Sequence, residues 1–120
     1  MPPRRRVPVD QGEQAVAAWR ADPDTLPRAQ LATAVRYTLE ELAARAPGRS
    51  VEVRVPPHGA VQAVEGPRHS RGTPSNVVET DAATWLSLAT GELRWVDAVA
   101  QGRVRASGGR ADLDAWLPLG

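Results

Sequence analysis

From residue 10 the chain reads "DQGEQAVAAWRAD", with Val16 and Trp19 recurring on one face of a helix. Pro23 and Pro27 end that pattern, and a longer one follows in "PRAQLATAVRYTLEELAARAPG". There Leu31, Val35, Leu39, Leu42 and Ala46 fall at spacings of three and four, and Pro27 suits a first helical turn. Arg36 with Glu40, and Glu41 with Arg45, stand four apart and can pair on the outer faces. Pro47-Gly48 closes the helix. The period then drops to two: Val51, Val53 and Val55 alternate with Glu52 and Arg54, the mark of a half-buried strand. "PPHG" is a turn, "AVQAVE" a returning strand, "GPRHSRGTPS" a loop and "NVVET" a third strand. Asp81 is placed to cap a short helix, "DAATWLSLAT", that Gly91 stops. "LRWVDAVAQ" predicts a second short helix ending at Gly102, and "RVRAS" a short strand. In the closing "ADLDAWLPL", Leu113, Trp116 and Leu117 share one face of a last helical turn or two. The order α-α-β-β-β-α-α-β-α predicts an α+β domain with one sheet and helices against it.

Composition narrows the setting more than the chemistry. A chain of 120 residues is expected to form one domain, here residues 10–120 behind a flexible basic tail at 1–9. Cysteine is absent, which excludes disulfides, thiolate metal sites and cysteine nucleophiles. No apolar run approaches the roughly 20 residues of a membrane span, and "MPPRRRVPVD" is not followed by a segment of signal-peptide length. A soluble, cytoplasmic protein without stable membrane insertion is expected. The net charge of +1 provides no global field for a polyanion.

Reactive constellations are missing from the sequence. His58 and His69 fall in separate predicted loops, and HExxH, GxSxG, P-loop and GxGxxG patterns are all lacking. Neither catalysis nor a bound metal or cofactor is expected. The loop "GPRHSRGTPSN" gathers donors from Arg68, His69, Ser70 and Arg71, so residues 66–76 could hold a carboxylate or phosphate. The competing reading is a solvated loop whose arginines pair with acids such as Glu65 and Glu79. Arg103 and Arg105 should point to one face of their strand and, with Arg4, Arg5 and Arg6, could touch nucleic acid. With one tyrosine and no phenylalanine to stack bases, a solvated sheet face without nucleic acid is the preferred reading.

The stretch "DAATWLSLATGELRWVDAVAQGRVRASGGRADLDAWL" resembles the C-terminal half of the sterol carrier protein type 2 superfamily. Asp81 takes the place of the acidic residue that opens a short helix, and Leu88 with Gly91 that of the LxxG turn ending it. Ala98, Gly102, Arg103, Val104, Arg105, Ala106 and Gly108 match the next helix, its glycine and the basic–apolar strand. Leu113 and Leu117 match the closing apolar helix. The segment is also similar to the C-terminal domain of mycothiol-dependent maleylpyruvate isomerases, and the chain resembles a bacterial sterol-carrier-like domain. The resemblance implies a curved, mainly antiparallel sheet covered on one face by helices. Between them it implies an apolar cavity that takes lipids such as sterols, fatty acids or fatty acyl-CoA.

A non-enzymatic carrier of a lipid or other hydrophobic ligand is therefore expected. Its cavity wall would draw on Trp85, Leu86, Leu88, Leu93, Trp95, Val96 and Val99, with Leu113, Trp116 and Leu117 as a closing lid. His69 and Arg71 would meet a charged head group. Adjacent helical residues diverge by about 100°, so not all of these can face inward. The alternative is an interaction or accessory module of the same fold, its cavity filled by side chains and its surface in contact with a protein partner.

Overall fold

The computed structural model describes residues 5–66 and 76–119, and the elements follow the predicted order. Helix α1 (Val9–Ala21) begins one residue before Asp10, which sits in its first turn where a carboxylate favours the helix dipole. Gly12 lies in α1 because a Cβ there would stand 2.1 Å from Cγ of Tyr37, so the two helices touch backbone to ring. Helix α2 (Arg28–Arg45) buries more than the expected stripe: Ala32, Ala34, Val35, Tyr37, Thr38, Leu39, Leu42 and Ala43 are all covered. It earns that burial by contacting α1, the sheet and a third helix at once. Burial, with the charges of Glu41 and Glu13, raises the pKa of Tyr37 above the usual tyrosine value.

Of the two ion pairs that spacing allows on α2, Glu41 with Arg45 forms at 3.0 Å. Arg36 and Glu40 do not pair. Arg36 Nε donates instead to the carbonyl of His58 at 3.0 Å, in the turn of the first hairpin. Glu40 Oε1 accepts from the backbone N–H groups of Arg6 and Val7, both at 3.1 Å. Sequence spacing offers a local partner, but here tertiary packing supplies better ones. The described part of the basic tail thus lies along α2, where Arg5 also meets Glu41.

Strand β1 (Val51–Val55) pairs antiparallel with β2 (Gly59–Ala63), and β3 (Val77–Thr80) pairs antiparallel with β4 (Val104–Ser107). The central pair, β1 with β3, is parallel, so the sheet has the order β2-β1-β3-β4 and is mainly antiparallel. Asn76 sets this join: its side chain donates to the carbonyl of Ser50 at 2.8 Å and accepts from the N–H of Arg110 at 2.9 Å. Alternation does the rest, for Val51, Val53, Val55 and Val78 enter the core while Glu52, Arg54 and Glu79 turn to the opposite face.

Helix α3 (Ala82–Thr90) is capped as predicted, with Asp81 accepting from the N–H of Thr84 at 2.8 Å and from its hydroxyl at 3.0 Å. Gly91 ends it in the left-handed region, at φ +85°, where side-chain-bearing residues are strained. Helix α4 (Trp95–Ala100) is shorter than the pattern suggested; Leu93 and Arg94 precede it. The closing segment is a single 3-10 turn (Asp114–Trp116), too short to give Leu113, Trp116 and Leu117 a common face. No helix among the described residues is long and apolar enough to cross a membrane.

Candidate functional site

The candidate wall residues centre on Trp85. It projects from α3 toward α2, is wholly removed from solvent, and its indole Nε1 donates to the hydroxyl of Thr38 at 2.8 Å. Thr38 can accept that bond because its own proton is directed to the α2 carbonyls of Ala34 and Val35, at 2.8 and 2.9 Å. A buried indole N–H without a partner would cost about 1–3 kcal/mol, so this one polar pair permits a tryptophan in the middle of the domain. Sequence reasoning passed over Thr38. Its only signal was a hydroxyl one position before Leu39 in an otherwise apolar helix face.

Leu86, Leu88 and Leu113 join Trp85 in complete burial, and Trp95 is buried beside them. Leu93 and Leu117 pack against this cluster with part of their surface open. Val96, Val99 and Trp116 point to solvent, at 46%, 45% and 39% exposure. A helix of six residues has room for one inward pair, and Trp95 and Ala98, three apart, occupy it. The structure therefore brings Trp85, Leu86, Leu88, Trp95 and Leu113 into one interior. It leaves Val96, Val99 and Trp116 on the outside.

The interior is packed. Val35, Leu39, Leu42, Val51, Val53, Val55 and Val78 meet the α3 side chains with essentially no exposure, in one continuous cluster. Among the described residues no buried side-chain polar atom lacks a partner. Two hollows, of about 290 and 510 Å³, are open clefts on the far side of the sheet. They are lined by Glu79 and Arg105, not by the candidate wall.

His69, Arg71 and most of the donor loop lie outside the described residues. Gly66, just before them, packs against Ser50. Among the described residues no group of three histidine, cysteine or acidic side chains is placed to hold a metal ion. His58 sits in the β1–β2 turn and takes part through its backbone carbonyl.

No curated protein matches the chain. The family described as bacterial SCP ortholog matches residues 27–119, which take in every element from α2 to the 3-10 turn and leave out residues 1–26, with α1 among them, and residue 120. With its sheet order, its capped α3 and its glycine-punctuated C-terminal half in that match, the chain belongs to the bacterial sterol carrier protein orthologs.

Proposed function

We propose that this protein is a non-enzymatic binding domain of sterol-carrier type that takes a lipid or other hydrophobic ligand between its sheet and helices. The observation that carries the reading is the family match, because it spans the whole apolar layer formed by α2, β1, β3 and α3. The side chains of this layer are almost wholly buried against one another, so a ligand would enter by displacing them. Each methylene moved from water into such an interior gains about 0.8 kcal/mol. A chain burying about ten of them can offset the roughly 3–5 kcal/mol that removal of a packed tryptophan costs. The cover best suited to part is the C-terminal one: α4 has six residues, the 3-10 turn three, and Gly91, Gly102 and Gly108 punctuate the segment at positive φ.

The near-complete burial of the interior side chains favours a second reading, an accessory module of the same fold that binds no lipid and contacts a protein partner. Native mass spectrometry of the purified protein, followed by titration with a fluorescent fatty acid while tryptophan emission is monitored, separates the two. A co-purifying lipid, or saturable one-to-one binding with a change in emission, is expected for the carrier. A bare mass and no saturation up to millimolar fatty acid would set the carrier reading aside in favour of the module.

A further inference from the structure

The far face of the sheet carries an open groove. The cleft of about 290 Å³ is lined by Pro56, Glu79, Thr80, Asp81, Gly102, Arg103 and Arg105. The cleft of about 510 Å³ shares Glu79 and Arg105 with it and continues past Arg54 and Val77 to Ser107. Together they run the length of β4, the last strand of the sheet. Among the described residues β4 pairs with β3 alone, and Arg105, Ala106 and Ser107 are exposed. At the opposite edge β2 likewise pairs with one strand only among the described residues, but helix α2 packs against it and Arg36 donates to the carbonyl of the adjoining turn.

Charges in the groove are unequally engaged. Arg54 is held by Glu52, whose hydrogen bond and charge raise its pKa further. The carboxylate of Asp81 is committed to Thr84 as the cap of α3. Glu79 stands opposite Arg105 in the ladder but forms no ion pair with it. Among the described residues the guanidinium groups of Arg103 and Arg105 have neither ion pair nor hydrogen bond. Ten N–H donors of the two forks are thus free, on an edge strand that also offers backbone groups.

We propose that this groove docks an extended acidic segment of a partner protein, which adds to the edge of β4 and sets its carboxylates on Arg103 and Arg105. Strand addition draws its affinity from main-chain hydrogen bonds and its selectivity from alternate side chains, here the two arginines two residues apart. A second copy of this chain is a poor occupant, because β4 against β4 brings four arginines together. Single-stranded nucleic acid is disfavoured as well, since no aromatic side chain lines either cleft to stack on a base. The site is on the face opposite the apolar layer and does not depend on lipid binding.

The test uses the full chain and a fluorescein-labelled eight-residue peptide of alternating valine and glutamate, followed by anisotropy at two salt concentrations. A version with lysine in place of glutamate and a thymidine oligonucleotide serve as controls. Saturable binding is expected, weakened at least tenfold by Arg103→Glu combined with Arg105→Glu, with the largest amide shifts in NMR at residues 103–107. Both arginines are exposed, so circular dichroism of the double variant should be unchanged. Equal binding of the lysine peptide, tighter binding of the oligonucleotide, shifts centred elsewhere, or a dimer in sedimentation that the double variant abolishes would each overturn the proposal.

Discussion

The two faces of one four-stranded sheet behave as different materials. On the inner face Val51, Val53, Val55 and Val78 are buried in one cluster with the side chains of α2 and α3, and Trp85 is fixed by its bond to Thr38. On the outer face Glu52, Arg54, Glu79 and Arg105 stand at the intervening positions of the same strands, partly or fully in water, above two open clefts. The difference arises from alternation alone, yet it divides two kinds of function. Anything bound on the inner face must first undo packing, whereas the outer groove is accessible at all times. A lipid site on the inner face, as proposed, would therefore be coupled to opening, and its apparent affinity would be reduced by the rarity of the open form. A docking site on the outside carries no such reduction.

The largest expected effect that bears on this contrast is Trp85→Ala. Loss of a fully buried tryptophan should lower stability by about 3–5 kcal/mol, read as a shift in the urea midpoint. If that variant binds fatty acid more tightly than the parent protein while still folded, the tryptophan is what occupies the ligand's place. Thr38→Val comes next. It keeps the shape of the side chain but strands the indole N–H, so about 1–3 kcal/mol should be lost, with altered Trp85 emission. Asp81→Ala removes the cap of α3 and should cost about 1 kcal/mol in the same denaturation experiment. Smallest of all, Arg105→Ser on the outer face should change stability by no more than about 0.5 kcal/mol. Should Arg105→Ser cost as much as Thr38→Val, the outer face would be part of the structural core and the contrast would fail.

Much of this arrangement was legible in the sequence because its cause is local. Strand alternation at Val51, Val53 and Val55, the cap at Asp81 and the stop at Gly91 each depend on a few neighbouring residues, and each stands where it was expected. The pair that the spacing of Arg36 and Glu40 allows does not form because the deciding partners, the His58 carbonyl and the arm at residues 6 and 7, are distant in the chain. That Val96 and Val99 are the ones to turn outward is not legible in the sequence, for a related reason. Their helix pattern could be read, but the length of α4 and the direction of its neighbours choose which two residues go in.

By itself the sequence determined the element order, the α+β class, the two caps of α3 and the absence of cysteine chemistry, since periodicity, capping and composition are properties of short stretches. Only the tertiary structure decided that β1 and β3 run parallel, that Thr38 receives the indole of Trp85, and which side chains are buried together between sheet and helices. It alone decided, too, that β2 and β4 form the two edges of the sheet. Each of these depends on which distant segments share the same space, and on how much volume their side chains leave between them.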